Sequence, residues 1–124
     1  MRAMFRRRAI DPSIDRTIDV VERAKVALVA AVPSPRGVVN RALAEAVLAF
    51  EDGLRRAETE MKRWPRGSDH VRRICEAAIE ESLRRAERLR LEAPALDAEG
   101  LITVLGDLIA PLDTFSEAER TFRA

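Results

Sequence analysis

The sequence contains few of the residues from which disulfide, zinc and catalytic sites are built. Among its 124 residues are one cysteine, one histidine and no tyrosine. A single cysteine cannot form an intrachain disulfide, which fits a reducing, cytoplasmic setting. One cysteine and one histidine cannot supply the four ligands of a structural zinc site. We therefore expect no metal and no other cofactor.

Long apolar runs and an excess of charge of one sign are also lacking. The longest uninterrupted apolar run is residues 26–32, far short of the ~20 residues that a membrane-spanning helix needs. The 22 basic residues nearly balance the 21 acidic ones, which leaves a net charge of +1. No general attraction to nucleic acid or to an anionic membrane follows from that charge. We expect a cytoplasmic protein with no membrane partner.

Apolar residues recur at spacings of three and four in four stretches, which predicts four helices. The first is expected over 12–32, with Asp11 as its N-cap. The second begins near Asn40, the third runs to about Leu91, and the fourth spans 98–122. The second carries a heptad seam of seven residues: Leu43, Val47, Phe50, Leu54, Ala57, Met61 and Trp64.

The short connections predict a single-domain, all-α fold, an antiparallel up-down-up-down four-helix bundle. We assign residues 11–124 to this bundle and residues 1–10 to a basic N-terminal arm. Pro111 interrupts the fourth helix, so we expect this helix to be kinked there or broken into two. The seams are apolar except at three polar positions: Thr17, Ser82 and Glu119.

The two side chains best suited to catalysis lack the neighbours that catalysis needs. His70 follows Asp69, but adjacent residues project about 100° apart around a helix, so the two side chains do not meet. Cys75 lies on an apolar helix face, where a cysteine behaves as a small hydrophobic residue. We therefore expect no catalytic residue and no enzyme activity.

Most charged residues are predicted to pair within their own helices. Six acidic residues stand four positions before a basic one, an arrangement worth about 0.2–0.5 kcal/mol per pair. The pairs are Asp19–Arg23, Glu51–Arg55, Asp52–Arg56, Glu58–Lys62, Glu80–Arg84 and Glu81–Arg85. This pattern is typical of solvated helix faces and not of an unpaired basic stripe that binds nucleic acid.

Two basic groups fall outside this pairing. One is in the arm, at Arg6, Arg7 and Arg8, and the other surrounds the turn between the second and third helices, at Arg63, Arg66, Arg72 and Arg73. Trp64 lies in the same turn. Arginine beside an aromatic ring can hold phosphate and stack on bases. A weak nucleic-acid- or anionic-ligand-binding module is therefore the first alternative hypothesis.

Apolar residues also occur in excess of what one core needs. The first helix is apolar on nearly every face over 26–32, and the fourth adds apolar residues beside its seam. A helix without a polar half is central to a core or meets a second chain. The candidate self-association residues are Val26, Val29, Val32, Ile102 and Ile109. Gly106 is expected to allow close approach of another backbone.

The favoured hypothesis is a non-catalytic interaction or scaffolding module that forms a homodimer, with an unidentified protein as a further partner. The second alternative is an enzyme whose site forms across the dimer interface.

Overall fold

The computed structural model describes residues 11–31, 41–92 and 98–123, and these are almost entirely helical. The elements are α1 (Pro12–Ala30), α2 (Arg41–Met61), α3 (Asp69–Glu92), α4 (Ala98–Ile109), a 3₁₀ turn (Ala110–Asp113) and α5 (Thr114–Arg123). The described residues contain no strand, so the predicted all-α helical bundle is confirmed. The predicted arm, Val32 and Asn40 lie outside the described residues.

The local signals explain where α1 and α3 begin. Asp11 caps α1, because its carboxylate accepts a hydrogen bond from the Ser13 backbone N–H at 2.8 Å. Between α2 and α3 the chain turns through Gly67, whose φ of 91° is in the left-handed region that favours glycine. Ser68 then precedes α3, and its carbonyl accepts from the Arg72 N–H at 2.7 Å.

Helices α1 and α2 pack closely, with their contacts running in opposite sequence directions. Thr17 meets Trp64, and Ala24 meets Gly53. A Cβ atom placed on Gly53 would lie 3.1 Å from the Ala24 Cβ, so the absence of a side chain lets the two helices approach. Among the described residues of this chain, nothing lies within 4 Å of a Cβ atom placed on Gly106. Close approach of a second chain at Gly106 stays a prediction. The up-down-up-down order of the complete bundle stays a prediction.

The region around Pro111 is divided into α4, the 3₁₀ turn and α5. Proline has no N–H, so the Asp107 carbonyl four residues earlier loses its helical donor. Arg85 of α3 supplies a replacement, with its Nη1 donating to that carbonyl at 2.7 Å. The Ser82 hydroxyl donates to the neighbouring carbonyl of Leu108. Side chains of α3 thus bond backbone carbonyls on the α4 side of the Pro111 break.

One hydrophobic cluster joins the helices. All seven residues of the predicted α2 seam belong to it, together with residues from every other helix. Thr17 and Ser82 are buried within it and hydrogen-bonded, which explains two of the three polar positions on the seams. The third, Glu119, has a side chain outside the described set.

None of the helices in the described residues is long and apolar enough to cross a membrane.

Candidate functional site

The turn between α2 and α3 keeps its aromatic residue inside the bundle. Trp64 is buried, and its indole N–H donates to the Thr17 hydroxyl at 3.0 Å. Stacking on a base requires an accessible ring face. Trp64 is therefore not available for the stacking contact that the nucleic-acid hypothesis assigned to it.

Two of the candidate anion-binding arginines lie beside carboxylates. Arg63 is mostly exposed, with its Nη1 3.8 Å from Glu60. Arg72 is half-buried, with its Nη2 3.7 Å from Asp69, and its Nε is buried without a hydrogen bond among the described residues. These contacts reduce the positive charge that the turn offers to an anion. Two further members are exposed, Arg66 and Arg73, and three lie outside the described residues, Arg6, Arg7 and Arg8.

Three of the five candidate self-association residues are exposed. Val26, Val29 and Ile102 have exposed fractions of 65%, 51% and 57%. Ile109 is half-buried and packs against the core cluster, which leaves little of its surface for a second chain. Val32 lies outside the described residues.

Three further large apolar side chains are exposed, none of them among the candidate self-association residues; one, Ile74, was expected on the apolar face of the third helix. They are Leu48 on α2 and Ile74 and Leu91 on α3. Leu48 stands one residue after a seam position and Leu91 two residues after one, so both lie off the buried stripe. A search of each helix for apolar residues away from its seam would have found Leu48 and Leu91.

The lone cysteine is buried, whereas the lone histidine is exposed. Cys75 is buried, and burial is the main reason that the pKa of its thiol is raised to about 12, with the Glu76 charge adding to the effect. A thiol held in its neutral form is a poor nucleophile. His70 is exposed at the start of α3.

Two carboxyl groups meet where α2 faces α3. Glu58 was expected to pair with Lys62, and Glu80 with Arg84. In the structure neither local ion pair is present, and Glu58 and Glu80 line the same surface cavity between the two helices. Arg84 pairs with Glu81. The pKa of Glu58 is raised to about 7, first by burial and then by its contact with Glu80.

The same two helices also share an ion pair. The Glu51 carboxylate is buried, and Arg90 approaches it from α3 with its Nε 3.0 Å from Oε1. Glu51 was predicted to pair with Arg55 on its own helix, so a contact between helices replaces the local one. Two of the six predicted local pairs are present, Asp19–Arg23 and Glu81–Arg85.

Across the described ranges, no three histidine, cysteine or acidic side chains are grouped so as to hold a metal ion.

Comparison with protein-family models, with curated proteins and with solved structures finds no match to this chain.

Proposed function

We propose that this protein is a helical interaction module that forms a homodimer through apolar side chains at one end of its bundle. The observation that carries the proposal is the exposure of Val26 and Val29 on the last two turns of α1. Nearly every position on these turns is apolar, and Leu28 is the one large side chain among them that is buried. Exposed apolar surface concentrated in this way marks interaction sites.

Other exposed apolar residues support the same end of the bundle. The Thr17–Trp64 contact places the last turns of α1 beside the early part of α2, where Leu48 is half-exposed. The Glu51–Arg90 pair places that part of α2 beside the end of α3, where Leu91 is exposed. Ile102 lies in the first turns of α4. It follows Glu92, the last residue of α3, by ten positions in the sequence.

We propose a non-catalytic role in the cytoplasm. Cys75 supports both parts of this proposal. It is a free thiol, as expected in a reducing compartment, and its burial disfavours the thiolate that catalysis would need.

Analytical ultracentrifugation of single variants tests the dimer. Val26→Glu and Val29→Glu place a charge on the exposed surface, so we expect each to convert dimer to monomer with an unchanged helical circular dichroism spectrum. Ala77→Glu is the control, because Ala77 is an exposed alanine in the first half of α3, away from Leu91 near the end of that helix. This control is expected to remain dimeric.

Leu28→Glu separates interface from core. Leu28 is fully buried, so an unpaired charge there should unfold the chain and not merely dissociate it. A wild-type chain that stays monomeric at every accessible concentration would end the proposal. A dimer unaffected by both valine variants would place the interface elsewhere on the surface.

A further inference from the structure

Helix α2 carries a second stripe of residues at heptad spacing, outside its buried seam. The stripe consists of Glu45, Ala49, Asp52 and Arg56, which follow one another at intervals of four, three and four. All four are exposed. Residues at these intervals lie along one side of a helix, which is the arrangement through which two helices pack against each other.

The charged members of this outer stripe have no ion-pair partner within the described part of the chain. Asp52 and Arg56 stand at the favoured local spacing but do not pair, and Glu45 is also unpaired. On the neighbouring helix α1, by contrast, Arg16 and Arg23 are each bound to a carboxylate. The outer stripe therefore offers unpaired charge of both signs, acidic at Glu45 and basic at Arg56.

A groove of about 280 Å³ between α1 and α2 borders the outer stripe. Ala49 and Arg56 line it from α2, and Ala27 lines it from α1. The other lining residues are Val20, Arg23, Ala24, Phe50 and Gly53. Most of these side chains are small or apolar, and the distance at which helices pack depends on the side chains at the contact. The groove therefore leaves room for a further helix to lie close to this face.

The outer stripe is complementary to a reversed copy of itself. Its intervals read the same from either end, so an antiparallel copy places Glu45 opposite Arg56. The same register places the charged Asp52 opposite the uncharged Ala49. A two-fold axis repeats every contact, which gives two Glu45–Arg56 pairs. A parallel copy would instead place each charge opposite its own like, which is unfavourable.

We propose that a second copy of this chain docks with its α2 antiparallel to the first along residues 45–56, so that Glu45 of each copy pairs with the partner's Arg56. This inference rests on the proposed homodimer and specifies how its two copies meet. The register is centred between residues 50 and 51, within one turn of the exposed Leu48. Because Ala24 of α1 meets Gly53, the exposed Val26 lies at the level of the same centre. Two apolar side chains of the proposed dimer surface thus accompany the charge pairs.

Sedimentation of charge-reversal variants tests the pairing. Glu45→Arg and Arg56→Glu each place like charges opposite at two symmetry-related points. Each should therefore raise the dissociation constant of the dimer at least about tenfold. The double variant restores opposite charges at both points, so its dissociation constant should return to within about threefold of the wild-type value. Glu80→Arg is the matched control, because Glu80 is an exposed carboxylate in the first half of α3, and it should leave the dimer intact.

Cross-linking of introduced cysteines reports the direction of the two helices. A short bismaleimide should join Glu45→Cys to Arg56→Cys when the two variants are mixed. It should join neither variant to itself, because positions 45 and 56 are about 16 Å apart along a helix. The native Cys75 is buried and does not compete for the reagent in the folded chain.

The outcomes separate this inference from the dimer on which it rests. A wild-type dimer that both charge reversals leave unchanged would overturn the antiparallel pairing and leave the proposed dimer standing. A helical double variant that stays dissociated would do the same, as would cross-linking of Glu45→Cys to itself, which indicates parallel helices. Loss of the helical circular dichroism spectrum in either single reversal would show that the stripe is not a free surface and would also overturn the inference. A wild-type monomer would end both proposals.

Discussion

Replacing Thr17 with valine tests the buried polar contact that joins the start of α1 to the end of α2. The Thr17 hydroxyl donates to the Ser13 carbonyl at 2.8 Å and accepts from the Trp64 indole N–H at 3.0 Å. Valine keeps the branched shape of threonine but removes both interactions. The buried indole N–H then loses the acceptor that Thr17 provides.

The expected cost comes from removing the acceptor of a buried donor. Leaving a buried donor unsatisfied costs about 1–3 kcal/mol. The Ser13 carbonyl keeps its helical acceptor role, so its loss of the hydroxyl adds little. We therefore expect Thr17→Val to lower the free energy of unfolding by about 2 kcal/mol.

Thr59→Val is the matched control for this experiment. The Thr59 hydroxyl also donates to the carbonyl four residues earlier, at 3.2 Å, but it is exposed and has no indole partner. Its replacement should change stability by no more than about 0.5 kcal/mol. Urea unfolding should be followed by circular dichroism and not by fluorescence, because the single tryptophan, Trp64, is itself part of the contact under test.

A double-mutant cycle with Trp64→Phe isolates the hydrogen bond from the packing. Phenylalanine has no N–H that needs an acceptor. Trp64→Phe should therefore lower the free energy of unfolding less in the Thr17→Val background than in the wild type. We expect a coupling energy of about 1–2 kcal/mol. A Thr17→Val variant as stable as the wild type, or costs that add within about 0.3 kcal/mol, would refute the reasoning.

Two further predictions concern the glycines of the helices and the free thiol. Gly106→Ala should raise the free energy of unfolding by about 1 kcal/mol, because alanine favours a helix and the site is open. Gly53→Ala has the same intrinsic gain in helix stability, but its Cβ would lie 3.1 Å from the Ala24 Cβ. Thermal unfolding should therefore show no gain in the free energy of unfolding, or a loss of about 1 kcal/mol. Equal stabilisation by Gly53→Ala and Gly106→Ala would contradict the close packing of α1 on α2. Cys75, with its pKa raised to about 12 by burial, should react with a thiol reagent at pH 8 only when the chain is unfolded. Rapid labelling of the native protein would contradict the placement of this side chain.

The α2 seam could be predicted because its signal is repeated. Seven apolar residues follow the same spacing over three heptads, and all seven are buried. One misplaced residue would not have changed that pattern. The bounds of the helices were less exact, since α2 ends at Met61 although the apolar spacing continues to Trp64. The chain leaves the helix after Met61, and the turn still carries Trp64 into the core.

The charge contacts could not be predicted by the same method. Spacing along one helix identifies partners four residues apart, and it is silent about residues on a neighbouring helix. Glu51 therefore pairs with Arg90, although Arg55 stands at the favoured local spacing. Glu58 likewise lines a cavity with Glu80 of α3 and does not pair with Lys62. Exposed local pairs are worth a few tenths of a kcal/mol, so contacts between helices readily replace them.

The Pro111 region shows how a local signal and a distant one combine. The proline itself indicates an interruption, because it lacks the N–H that the Asp107 carbonyl would accept. It does not indicate what satisfies that carbonyl instead. Arg85 does so at 2.7 Å, from a helix 22 residues earlier in the chain. The serine on the α3 seam, an exception in an apolar pattern, bonds the next carbonyl along. A polar residue on a buried seam, together with a proline on the helix facing it, therefore predicts a contact that neither residue predicts alone.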